Sequence, residues 1–131
     1  MKYVLDSCVL IAFFKNEKSA AKVEQFLLKA KNKELELYLP IIQWGEILYI
    51  IQREYGQEKS DEVKFVLNNL PIKFIDITQE LTEIAYKYKS RGGIAYPDCF
   101  VIAVASLLKG VVLTQDKEFK KFEEEINLEW L

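Results

Sequence analysis

Apolar residues along this chain fall into two rhythms: short runs that suit strands, and three- and four-residue spacings that suit one face of a helix. Tyr3-Val4-Leu5 is such a run, ending at Asp6, and Ser7 to Phe14 has the length and composition of a helix turning back over a sheet. Between Ser19 and Lys31, the residues Val23, Phe26, Leu27 and Ala30 share one face of a second helix, with Ser19 placed to cap its N-terminus. Leu35, Leu37 and Leu39 alternate as a second strand. Pro40 closes it and suits the first turn of the helix that follows.

From Ile41 to Tyr55 the chain is apolar nearly all round, which predicts a central buried helix stopped at Gly56. A further helix runs from about Ser60 to Leu70, and Pro71 ends it before the apolar run Ile72 to Ile77, a third strand. Thr78 reads as the N-cap of a helix through Ala85 and Tyr88, broken by Gly92-Gly93. Tyr96-Pro97-Asp98 opens a helix whose small and apolar residues, Cys99 to Leu108, predict deep burial. Gly110 separates it from a fourth strand, Val111 to Leu113. Asp116 to Phe122 suits a short helix, and Ile126 to Leu131 alternates as a final edge strand. Strands alternating with helices predict an α/β fold: a parallel sheet with right-handed crossovers and helices on both faces. No repeat, low-complexity segment or linker interrupts the pattern, so residues 1–131 read as one domain, long enough to bury roughly two-thirds of its unfolded surface.

Composition narrows the class. At 50% hydrophobic and 29% charged, the chain has the make-up of a folded soluble protein. The N-terminal lysine and apolar stretch does not read as a leader, because Asp6 interrupts it and no small-residue cleavage site follows. The longest uncharged run, Cys99 to Leu108, falls far short of the ~18 residues of a membrane span. A cytoplasmic protein is therefore expected. Cys8 and Cys99 are too few and too dispersed for a disulfide framework or a zinc site, and are expected to be reduced, packed thiols.

A net charge of −2 shows no overall basic excess for nucleic acid, so any case for RNA must come from a site. Histidine is absent, which leaves acid–base work to carboxylates, lysine, tyrosine or metal-activated water. Asp is scarce against Glu, so the position of each aspartate is informative.

In an open parallel sheet, ligands bind at the carboxyl ends of strands where the strand order reverses. Asp6 directly follows the first strand, Asp116 stands just beyond the fourth, and Asp98 opens the helix that feeds the fourth. Each could serve simply as a helix cap. Glu46 differs, because it lies among Trp44, Ile47, Leu48 and Ile50, and a buried carboxylate without a partner costs several kcal/mol, order of magnitude. Gln43 and Arg53 continue its polar stripe, but Arg53 is two turns away, and Gly45 leaves room for a close approach. Four acids with no His or Cys cluster suit a hard cation such as Mg²⁺ or Mn²⁺, which would activate water and offset the charge growing on a phosphoryl oxygen. Asp61, inside a surface helix, and Asp76, at the end of the third strand, lie outside this pattern.

Val4 to Ile11 (VLDSCVLI), Trp44 to Tyr49 (WGEILY), Pro97 to Ala105 (PDCFVIAVA) and Leu113 to Phe119 (LTQDKEF) resemble, in order and spacing, the PIN-domain nucleases, and among them the VapC-type toxins of prokaryotic toxin–antitoxin pairs. The resemblance covers essentially the full length. It implies a three-layer α/β/α fold with a five-stranded parallel sheet of order 3-2-1-4-5 and a Mg²⁺ or Mn²⁺ site held by Asp6, Glu46, Asp98 and Asp116. It also implies that Ser7 and Thr114 lie beside the metal or the scissile phosphate, with Cys8 and Cys99 packed behind the acids. The implied activity is endoribonuclease cleavage of RNA, with a cognate antitoxin as partner. The alternatives are an RNA-processing nuclease without an antitoxin and a catalytically silent RNA-binding module; the presence of all four acids argues against the silent module. A homodimer is expected, since an acidic pocket needs a second surface to hold RNA and related toxins pair. Lys87, Lys89 and Arg91, near the start of the Asp98 helix, are candidates for phosphate contacts.

Overall fold

The computed structural model describes residues 1–131. In chain order the elements are β1 (Lys2–Leu5), α1 (Ser7–Phe14), α2 (Ala20–Lys31), β2 (Glu36–Pro40), α3 (Ile41–Tyr55), α4 (Gln57–Asn68), β3 (Ile72–Ile75), α5 (Gln79–Ser90), α6 (Tyr96–Leu108), β4 (Val111–Thr114), a 3₁₀ helix (Lys117–Phe122) and β5 (Asn127–Trp130). All strand pairings are parallel, in the order β3-β2-β1-β4-β5. The expected α/β/α architecture is the observed one.

Both faces of the sheet are covered, so its strands are apolar on both sides rather than alternating with polar residues. Successive side chains of a strand point to opposite faces. Tyr3 and Leu5 accordingly join Leu37, Leu39 and Leu113 in a core beneath α1 to α4. Val4 joins Tyr38 and Val112 in a second core beneath α5, α6 and the 3₁₀ helix. Helix α6 is buried without a break from Asp98 to Ala105, as its small residues predict.

The strand order reverses at β1. The chain first winds outward through β2 and β3, then crosses back to place β4 on the other side of β1, with Val4 opposite Val112 and Leu5 opposite Leu113. That crossing opens a crevice at the carboxyl ends of β1 and β4. The approach of β4 to β1 is close at its start: a Cβ on Gly110 would lie 2.9 Å from the Lys2 carbonyl oxygen. Lys109, rather than the glycine, takes the left-handed conformation that ends α6.

Several local expectations are corrected. Helix α3 is not buried all round. Only Gln43, Ile47 and Ile51 form its buried stripe, while Tyr49 and Tyr55 are exposed, because one side of the helix faces the core and the other faces outward. Ser19 does not cap α2 with its side chain: its backbone is already helical, and its hydroxyl is buried without a partner. Helix α4 starts at Gln57 after Gly56, whose φ of +93° favours glycine. Ser60 instead lies within α4 and donates to the Leu48 carbonyl of α3. Strand β3 stops at Ile75, short of the expected Ile77, because its only partner ends at Pro40, opposite Ile75. Thr78 caps α5 as expected, accepting from the Leu81 N–H at 3.1 Å.

Candidate active site

Asp6 leaves β1 in an extended conformation and becomes the N-cap of α1, 1% exposed. Its Oδ1 accepts from the Val9 N–H at 3.3 Å and from the Cys8 thiol at 2.7 Å, while its Oδ2 accepts from the Thr114 hydroxyl at 2.5 Å. Thr114 is the last residue of β4, and its Oγ1 also accepts from the Asp116 N–H at 2.9 Å. One buried hydroxyl thus locks together the two strand ends that the topology brings side by side. Asp116 in turn caps the 3₁₀ helix, its Oδ1 accepting from the Glu118 N–H.

The other half of the crevice comes from α3 and α6. Glu46 accepts from the Ser7 hydroxyl, and Gln43, one turn earlier on α3, accepts from the Ser7 N–H at 2.7 Å. The Gln43 amide donates to Asp98 Oδ1 at 3.3 Å. Asp98 is buried in the first turn of α6. The expected acids therefore occupy one crevice in two hydrogen-bonded sets, Asp6 with Thr114 and Asp116, and Glu46 with Ser7, Gln43 and Asp98. Asp6 and Asp116 both cap and cluster, whereas Asp98 does not cap: it lies inside the first turn of α6, whose N-cap is Ala95, and its side chain makes no capping bond. Asp61 and Asp76 are exposed elsewhere.

No lysine or arginine forms an ion pair with any acid of the crevice. Burial pushes the Asp98 carboxyl up to about 7, reinforced by the negative charges of Asp6, Asp116 and Glu46 and opposed by the Gln43 amide. Asp6 is pushed up to about 6, again chiefly by burial, although the Cys8, Thr114 and Val9 donors oppose the rise. The Cys8 thiol is itself raised far above its ordinary value by burial and by Asp6, so it donates to the carboxylate as a neutral S–H. Carboxylates of Asp98, Asp116 and Glu118 place oxygens within 4.8 Å of one another. Hard oxygen donors that no protein cation neutralises fit a Mg²⁺- or Mn²⁺-type ion.

Two residues of this arrangement escaped the sequence reading as site members. Glu118 joins the cluster because its Oε1 accepts from the Ala95 N–H at 3.1 Å, which holds its carboxylate at the start of α6 beside Asp98. The acidic pair around Lys117 was the available signal. Gln43 was visible only as part of a polar stripe. Gly45 faces open space, as expected.

The basic candidates are engaged elsewhere. Arg91 makes a double hydrogen bond to Glu125, at 2.8 and 2.6 Å, and lies over the Phe122 ring. Lys89 donates to the Ile94 carbonyl at 2.9 Å, and Lys87 lies 3.6 Å from Glu83. On another rim, a cavity of about 420 Å³ is lined by Lys18, Ser19 and Lys22 together with Gln115, the residue between Thr114 and Asp116.

No curated protein matches the chain. The fold is shared with solved structures of low sequence identity. VapBC of Salmonella typhimurium, bound to DNA, is 19% identical with a TM-score of 0.78, over 99% of this chain and 98% of that one. A VapBC pair of Rickettsia felis bound to a promoter DNA fragment is 20% identical with a TM-score of 0.74, over 99% and 98%. A sarcin–ricin-loop-cleaving VapC toxin of Mycobacterium tuberculosis is 13% identical with a TM-score of 0.74, over 91% and 93%. The family model described as the PIN domain matches residues 3–125. With the sheet order, the carboxylate crevice and this match over nearly all of its length, the chain belongs to the PIN domain family.

Proposed function

We propose that this protein is a Mg²⁺- or Mn²⁺-dependent endoribonuclease, the toxin of a toxin–antitoxin pair, acting through Asp6, Glu46, Asp98 and Asp116 with Glu118 beside them. The observation that carries the reading is the crevice itself: carboxylates gathered from four separate stretches of chain, two of them with raised pKa values, and no protein cation among them. A structural role alone does not explain such a cluster, because it opposes folding and each acid could be replaced by a neutral residue. An ion bound there would supply the positive charge and the acidity that hydrolysis of a phosphodiester by water requires. The chain's own part is to orient. Thr114 holds Asp6 and the Asp116 backbone together, Ser7 holds Glu46, and the Gln43 amide holds Asp98.

Lys18 and Lys22, exposed and free of ion pairs beside Gln115, are the cations proposed to meet the RNA backbone, in place of the engaged Lys89 and Arg91. The solved relatives that are toxin–antitoxin complexes support a cognate antitoxin, and pairing of the protein with a second copy remains part of the proposal. The expected result is RNA cleavage with Mn²⁺ or Mg²⁺ and none after exhaustive chelation; cleavage that survives chelation overturns the mechanism. Reversing Lys18 and Lys22 to Glu should reduce the dependence of log affinity on log salt by about 1 to 1.5, and an unchanged slope removes them from the RNA path.

A further inference from the structure

Gln43 is 0% exposed on a helix whose other buried positions are isoleucines. A buried amide is costly unless both of its ends are bonded, so packing alone would favour another aliphatic residue there. Both ends are bonded. The Oε1 takes the Ser7 N–H at 2.7 Å, and the Nε2 gives to Asp98 Oδ1 at 3.3 Å.

The direction of the amide is not arbitrary. A backbone N–H can only donate, so Ser7 dictates that Oε1 faces it, and the NH₂ group is left to face Asp98. Asp98 receives no other protein hydrogen bond to its carboxylate. Ser7 is held a second time, through its hydroxyl, by Glu46, three residues along α3 from Gln43. One face of α3 therefore grips the start of α1 at two atoms and reaches across to α6 with a third.

We propose that Gln43 is the positioning residue of the crevice, bridging the first N–H of α1 to Asp98 so that the Asp98 carboxylate is preset for a divalent ion. The inference rests on the reading of the crevice as a metal site. Gln43 acts through Asp98 and holds no ion itself. A residue that merely caps α1 or fills space would affect the stability of the fold but not how tightly the folded protein takes up metal.

Gln43→Met keeps the length and volume of the side chain and removes donor and acceptor together. Calorimetric titration of the folded variant with Mn²⁺ is expected to show affinity about 10- to 100-fold weaker than the parent, the usual cost of losing a group that orients a metal-binding carboxylate. Affinity within twofold of the parent overturns the positioning role, whatever happens to the melting temperature. Should Gln43→Met fail to fold, the parent protein decides. The two Gln43 side-chain amide protons should give distinct, slowly exchanging NMR signals that move during Mg²⁺ titration with the same midpoint as metal binding. Signals that stay fixed, or that exchange at the rate of a free amide, overturn the proposal. A parent that takes up neither Mn²⁺ nor Mg²⁺ would instead sink the nuclease reading on which it rests.

Discussion

Around the turn at Gly92–Gly93, charged side chains lie near the surface and almost every one has a partner. Arg91 pairs with Glu125, Lys121 donates to the carbonyls of Arg91 and Gly92, and Lys89 donates to that of Ile94. A few residues further on, Asp98 and Asp6 are buried, with the half-buried Glu46 and Asp116 close by and no cation paired with any of them. The first region stitches a glycine turn to the start of α6 with interactions that water and salt weaken. The second gathers like charge around two carboxyls that are themselves buried. The difference teaches where to look for function: charges arranged for stability find partners on the surface, and charges arranged for a ligand are left buried without one.

Asp98→Asn tests the contrast most severely. Cleavage should fall on the order of a thousandfold or more, since several kcal/mol of transition-state stabilisation depend on the ion. In chelator the variant should nonetheless melt at or above the parent's temperature, because one of the repelling charges is gone. Asp76→Asn, exposed and outside the crevice, should change neither. If Asp98→Asn melted far below the parent in chelator, the Asp98 carboxylate would be serving the fold and the site would be misassigned.

The pH dependence of the metal-free protein has a definite sign. A carboxyl whose pKa is higher in the fold than in the unfolded chain keeps its proton over a range where the unfolded chain has lost it, so stability falls as pH rises through that range. With Asp6 near 6 and Asp98 near 7, against about 3.9 when unfolded, denaturant titrations in chelator should show stability declining between about pH 4 and pH 7. The loss should be on the order of a few kcal/mol, flatter in Asp98→Asn. Saturating Mn²⁺ should stabilise the protein increasingly over the same interval, because metal and protons compete for the same oxygens. A rising or flat profile would refute the assignment of raised pKa values.

Thr114→Val, nearly isosteric, removes the hydroxyl that joins Asp6 to the Asp116 N–H. The expected cost is about 1 to 3 kcal/mol above pH 7, where the buried Asp6 carboxylate loses a donor, and less at pH 5. Equal costs at both pH values would show that the hydroxyl serves the Asp116 N–H and packing rather than the Asp6 carboxylate. The smallest effect belongs to the surface region. Glu125→Gln should shift the melting temperature only slightly, with a shift that vanishes in high salt, and should leave cleavage intact. A loss of cleavage in that variant would mean that the clasp on the turn controls the crevice.

Much of this arrangement was legible in the sequence because it follows from short-range patterns. Tyr3-Val4-Leu5 and Val111-Val112-Leu113 are apolar at every position because both sheet faces are covered, and Asp6, Asp98 and Asp116 stand where strands end or helices begin. What was not legible depends on partners distant in the chain. Arg91 and Lys89 look free until Glu125 and Ile94 are placed beside them. Ile41 to Tyr55 looks wholly apolar until packing decides which side faces inward, and the most buried polar residue there proves to be Gln43 rather than Glu46. An amide carries no charge and has no preferred spacing, so only the Ser7 N–H and Asp98, brought together by three helices, reveal its use.

The hydrogen bond from Thr114 to Asp6 spans 108 residues. Because β1 is the middle strand, it waits through most of synthesis for β4, and long-range parallel pairing of this kind is slow to form. Asp6, Glu46 and Asp98 all emerge from the ribosome before Asp116 and Glu118. An unfinished chain therefore holds most of the acids without the strand that gathers them, and the crevice is complete only once β4 has paired with β1.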